Sequence, residues 1–202
     1  SFEGEGYEAD DLLGTLSRQA GQQDVETLIV TGDTDLLQLV DAHTRVLTSR
    51  WRFSDTVIYD EQGVRERYEG LTPEQLVDYK ALMGDKSDNI PGVSGVGEKT
   101  ATKLLNKYQD LEKIYEHLDE VKSRFRTKLE EGRDEAFLSQ ELARIVRDVP
   151  VTLDLEACRT RSFDRQRVLD LFRDLEFRTL VDRLPAQQDA PLQPAGVPHQ
   201  LG

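Results

Sequence analysis

Residues 84–101 read GDKSDNIPGVSGVGEKTA, and this stretch decides how the rest of the chain is read. Asp85 and Asp88 stand three residues apart, a spacing at which two carboxylates can turn toward one hard divalent cation. A glycine-rich turn, Gly92 to Gly97, follows at once and opens into a helix carrying Lys99 and Lys103. Glycines allow backbone amides close to an anion, and a helix N-terminus adds a favourable dipole. A metal site and a phosphate anchor side by side point to chemistry on a phosphodiester. The turn also divides the chain: alternating elements precede it, and helical periodicity follows it.

Upstream, Ala9, Leu12, Leu13, Leu16 and Ala20 recur at helical spacing and predict a helix over 8–20, with Gly21 as its C-cap. Thr27–Thr31 reads as a buried strand and Asp35–Val40 as a short helix. Two more strands are expected around Arg45–Thr48 and Thr56–Tyr59, then a helix over 74–83 behind Pro73. This alternation predicts an α/β fold with a mostly parallel sheet. Downstream, helices are expected over 98–108, 110–118, 120–131, 134–147 and 165–183, with an extended piece near Val149–Leu153. The expected division is 1–84 (α/β metal-binding core), 85–184 (helix–hairpin–helix and helical subdomain) and 185–202. That last segment holds Pro185, Pro191, Pro194 and Pro198 and reads as a linker or disordered tail.

The chain has 202 residues, enough for a sizeable core, and a net charge of −13. The acidity is uneven: residues 1–97 carry 8 basic and 19 acidic side chains, residues 98–202 carry 18 and 20. A bound divalent cation would offset part of the first imbalance. Cys158 stands alone, which excludes an internal disulfide framework and fits a reducing cytoplasm. His43, His117 and His199 are scattered, which argues against zinc. No apolar run is long enough to cross a membrane, and the acidic N-terminus does not read as a signal peptide.

Three acidic motifs lie at the edges of apolar elements. Glu8, Asp10 and Asp11 begin the first helix, where the alternative reading is capping. Asp33 and Asp35 follow the first strand, where α/β sheets bind ligands; the alternative is a turn and a cap. Asp85 and Asp88 form the third. Crowded carboxylates with no His or Cys favour Mg²⁺ or Mn²⁺, able to activate water and stabilise a leaving oxygen. The hairpin Gly92, Val93, Ser94, Gly95, Val96 and Gly97, with Lys99, Thr100 and Lys103, would hold phosphates without reading bases. Lys107, Arg124, Arg126, Lys128 and Arg133 either extend that track or form a solvated face.

Together GYEADDLLG (6–14), TGDTDLLQL (31–39) and residues 84–101 resemble the 5′ nuclease domain of bacterial DNA polymerase I, within the flap endonuclease superfamily. The similarity runs from residue 5 to about residue 184. The resemblance implies an α/β core, a helix–three-turn–helix DNA clamp and two or three divalent ions, with K⁺ at hairpin carbonyls. It implies Glu8, Asp10, Asp11, Asp33, Asp35, Asp85 and Asp88 as metal ligands, with Asp33, Asp35 and Asp88 central to catalysis. The implied substrate is DNA with a 5′ flap, nick or gap, in a cytoplasmic, nucleoid-associated protein continuous with polymerase domains.

Family members begin with an Asp-bearing strand and a basic arch, and this sequence is expected to be a piece that starts after both. The sheet is therefore expected to be incomplete, with an exposed edge, and cleavage by this chain alone to be weak or absent. The alternatives are a non-catalytic, sequence-independent DNA-binding module and an acidic α/β domain whose motifs are caps and turns.

Overall fold

The computed structural model describes residues 1–49, 56–159 and 164–184. The proposed tail, 185–202, lies outside the described residues. The described residues fall into two compact units, which divide between residues 153 and 154.

The first unit opens with α1 (Ala9–Gly21), whose Leu12 and Ala20 face the core. Gly21 is its last residue, and Gln22 takes the cap position. Strand β1 (Thr27–Val30) leads into a 3-10 helix, Asp35–Leu39, which buries Leu36, Leu37 and Leu39. Strands β2 (Thr44–Ser49) and β3 (Thr56–Tyr59) follow. The sheet order is β1-β2-β3, with β1 parallel and β3 antiparallel to β2. The sheet is thus mixed rather than mostly parallel. Six residues separate β2 from β3, too few for a parallel crossover, which takes a dozen or more. Ile29 and Val46, paired across β1 and β2, are buried, whereas Leu28, Val30 and Ile58 are exposed on the sheet.

Helix α2 (Glu61–Arg67) is one the periodicity did not predict, being only seven residues long with Val64 its one buried side chain. Asp60 caps it by accepting from the Gly63 amide at 2.8 Å. Then come α3 (Gln75–Met83), α4 (Glu98–Tyr108), α5 (Leu111–Glu116), a 3-10 turn (Leu118–Glu120), α6 (Ser123–Glu131) and α7 (Arg133–Ala143). Leu82, Leu105, Leu111, Ile114 and Leu129 from these helices join Leu36, Leu37 and Val46 in one core. Each such side chain contributes roughly 1.5–3 kcal/mol by leaving water. No helix among the described residues is long and apolar enough to cross a membrane.

Beyond α7 the chain leaves helical geometry earlier than the sequence predicts. Residues 144–153 run along α1, tied to a polar stripe spaced four residues apart. The Val146 amide donates to Asp11 (2.8 Å), the Val149 amide to Thr15 (3.1 Å) and the Leu153 amide to Gln19 (2.7 Å). Gln19 also donates to the Val151 carbonyl, and Gln38 pairs with the backbone of Ala143 and Ile145. Side chains here replace a neighbouring strand in satisfying backbone groups.

Asp78 fastens the helices. Buried on α3, it accepts from the Leu111 amide at 3.1 Å and from Gln140 of α7 at 2.7 Å. Burial raises its carboxyl above the ordinary 3.8, and those two hydrogen bonds offset only part of that. The folded protein therefore keeps this proton to higher pH than the unfolded chain does. The associated stability is complete below 3.8 and is lost as pH rises through the raised value. Asp78→Ala leaves the Leu111 amide without its acceptor and should cost about 1–3 kcal/mol in urea unfolding. Asp78→Asn keeps an acceptor oxygen and should flatten this part of the pH–stability curve.

The second unit contains α8 (Arg165–Asp174), capped by Asp164, and a 3-10 helix, Arg178–Arg183. The single helix predicted over 165–183 is broken by Glu176, whose φ is +56°.

Candidate metal centre

Two segments converge on one group of carboxylates. Asp35 opens the 3-10 helix after β1, held by Asp33, which accepts from the Asp35 amide at 2.9 Å. Asp85 and Asp88 sit on the loop after α3. That loop is closed by paired backbone bonds between Asp85 and Ile90 (2.9 and 2.7 Å). Asp35, Asp85 and Asp88 each offer a carboxylate oxygen within 4.8 Å of the others.

Gly84 and Gly92 place this loop against the hairpin. Both have positive φ, +75° and +63°, and a Cβ on Gly84 would stand 2.7 Å from the Pro91 carbonyl oxygen. The Val93 amide donates to the Leu82 carbonyl at 2.9 Å and the Gly92 amide to the buried Ser139 hydroxyl at 3.0 Å. The hairpin is therefore divided. Gly92, Val93 and Val96 are buried anchors, while Ser94, Gly95 and Gly97 face outward. Lys128 of α6 donates to the Gly95 carbonyl at 3.0 Å. Lys99 and Lys103 are exposed on α4 and line an open groove of about 320 Å³ with Thr100, Lys107 and Lys122.

Sequence reasoning missed Lys80, in the last turn of α3. Its ammonium touches Asp35 directly and lies 2.8 Å from Asp85 and 3.4 Å from Asp88, with the side chain 13% exposed. Burial works against its charge, but the hydrogen bonds and charges of Asp35 and Asp85 outweigh it and raise Lys80 above its usual range. In return, the hydrogen bond from Lys80, aided by Ser87, holds the Asp85 carboxyl well below its own. The available signal was the one cation of a largely apolar helix, five residues before Asp85.

The first acidic motif splits. Burial raises the Asp10 carboxyl, and the charges of Asp33, Asp35, Glu8 and Asp11 raise it further, which marks these groups as electrostatic neighbours. Burial also raises Asp35, against the hydrogen bond from Lys80. Asp11 is engaged on both oxygens, accepting from the Glu8 amide (3.1 Å) and the Val146 amide (2.8 Å). It thus ties the start of α1 to the strap beyond α7. Glu8 is exposed at the N-cap.

The donor set fits a divalent cation. Oxygen-only ligation suits Mg²⁺, Mn²⁺ or Ca²⁺ over zinc. Three carboxylates less one ammonium leave two negative charges at the group of Asp35, Asp85 and Asp88.

The chain is similar to DNA polymerase I of Chloroflexus aurantiacus, 48% identical over 195 residues, covering 94% of this chain and 21% of the relative. It is 45% identical to that of Bacillus subtilis over 202 residues, 97% of this chain and 23% of the relative. The chain thus spans about a fifth of the length of these relatives. Its fold is that of T5 5′-exonuclease with bound divalent metal ions, there zinc (TM-score 0.60, 23% identity, 70% of this chain and 51% of that one). The catalytic core of Rad2 in complex with DNA substrate shares it too (TM-score 0.54, 16% identity, 80% and 56%). Residues 1–69 match the 5′-3′ exonuclease N-terminal resolvase-like domain, and residues 71–166 match the 5′-3′ exonuclease C-terminal domain of SAM fold. With both halves matched in order along most of its length, the chain belongs to the 5′-3′ exonuclease family.

Proposed function

We propose that this chain is the 5′ nuclease part of a DNA polymerase I, hydrolysing phosphodiesters at a 5′ flap, nick or gap during replication and repair in the cytoplasm. The observation that carries the reading is the packing of the Asp35, Asp85 and Asp88 group against the Gly92–Gly97 hairpin. Asp35, Asp85 and Asp88 would hold Mg²⁺ or Mn²⁺, and Asp10 and Asp33 would bring a further ion near. Bound there, such an ion would lower the pKa of a water and polarise a phosphoryl oxygen. Ser94, Gly95 and Gly97 face outward beside it, and Lys99 and Lys103 would take the neighbouring phosphates. These are sequence-independent contacts. A monovalent ion at the hairpin would compete with Lys128 for the Gly95 carbonyl.

Two experiments test this. First, binding of the chain to a 5′-flap duplex should weaken with salt, and Lys99→Gln with Lys103→Gln should flatten the log–log slope by about one unit per lysine. An unchanged slope contradicts the assigned DNA track. Second, in a full-length relative carrying this segment in place of its own, Mg²⁺-dependent flap cleavage should persist and should disappear with Asp35→Asn. Salt-dependent binding with no cleavage by that chimaera would favour a non-catalytic DNA-binding module.

A further inference from the structure

Lys80 has no part in the proposal above, and its placement is unusual. A hard divalent ion bonds carboxylate oxygens at roughly 2.0–2.6 Å. Asp35, Asp85 and Asp88 offer carboxylate oxygens within 4.8 Å of one another, and each of the three turns its Oδ2 to the Lys80 ammonium. An ammonium and a divalent ion cannot occupy that space together, since both are cations and both need the same lone pairs. We infer that Lys80 is a resident counter-cation of the acid cluster, which a divalent ion must displace in order to bind. The inference rests on the metal reading of that cluster.

The reason for such a residue lies in the loop itself. Asp85 and Asp88 share a short turn, and Asp35 approaches from another element. Without a cation, three carboxylates this close repel one another and spread the loop. Lys80 sits between buried Tyr79 and Ala81, so its stem starts from a fixed point on α3. Its four-carbon side chain still lets the ammonium swing away once a stronger cation arrives. The cluster is thereby shaped before metal binds, and the metal gives up part of its affinity to eject the lysine.

Titration calorimetry with Mg²⁺ at low ionic strength tests this on the 202-residue chain, its Lys80→Met variant and its Asp85→Asn variant. Lys80→Met should bind Mg²⁺ about tenfold more tightly or better, and Asp85→Asn should bind far more weakly. Tighter binding is opposite to what a damaged fold would give. In a parallel NMR measurement on the unsubstituted chain, the Lys80 ammonium protons should exchange slowly without metal and rapidly at Mg²⁺ saturation. This readout decides the matter if Lys80→Met does not fold.

Equal or weaker binding by a folded Lys80→Met variant overturns the inference, as do ammonium protons still protected at saturation. If Asp85→Asn weakens binding while Lys80→Met leaves it unmoved, the counter-cation alone is wrong. If neither substitution changes Mg²⁺ binding, or none is measurable, the metal reading fails and this inference with it.

Discussion

Asparagine in place of Asp35 should weaken divalent-metal binding by about 100-fold or more, with little change in the fold. Even the outer hydrogen-bonding partners of metal ligands cost 10- to 100-fold when removed, and Asp35 occupies the centre of this site. It touches Lys80, shares the oxygen cluster with Asp85 and Asp88, and is felt electrostatically by Asp10. Asparagine keeps the side-chain shape and the start of the 3-10 helix, so Leu36, Leu37 and Leu39 stay in the core. Calorimetry with Mn²⁺ measures the loss, and circular dichroism shows whether the helices persist. A folded Asp35→Asn chain that binds Mn²⁺ as tightly as the parent would remove Asp35 from the ligand set.

The second large effect is expected at Gly92. Its φ of +63° disfavours any side chain, and a Cβ there would lie 2.6 Å from the Gly84 Cα and 2.6 Å from the Met83 carbonyl carbon. These neighbours are backbone atoms, so neither can rotate away. The methyl group must push the hairpin off the end of α3, breaking the bond from the Gly92 amide to Ser139. Left-handed strain and overpacking together put the cost at about 3 kcal/mol or more. Because Gly84 adjoins Asp85, Gly92→Ala should also lower metal affinity. Gly97→Ala is the control: nothing lies within 4 Å of its Cβ position and its φ is −112°, so only the poorer N-cap that alanine gives α4 should count, a loss of no more than about 1 kcal/mol. Urea unfolding of both variants reads the difference. Equal midpoints would mean that the hairpin does not pack as described.

How far the sequence revealed this molecule depended on whether a signal was local. The helix at Leu12, Leu16 and Ala20 and the strand at Thr27–Val30 follow from periodicity within one segment. The direction of β3 does not, because strand pairing is a contact between segments, and only the short connection hinted at it. Asp11, Thr15 and Gln19 look like the solvated stripe of an amphipathic helix. They carry the strap of residues 144–153, and a polar i, i+4, i+8 row facing an expected extended piece was the available clue. The acid motifs were legible one by one. Their convergence on Lys80 was not, since that residue meets Asp35 across 45 positions of chain. The hairpin was legible as a turn, but its division into buried and outward residues depends on Ser139 and Leu82, which lie on other helices.

The most direct test of the metal centre is a crystal of the chain soaked in Mn²⁺ and measured for anomalous scattering. An anomalous peak bonded to oxygens of Asp35, Asp85 and Asp88 at about 2.0–2.6 Å is expected, with the Lys80 ammonium moved out of the cluster. Ordered carboxylates with Lys80 still seated among them, and no peak there at saturating Mn²⁺, would contradict it.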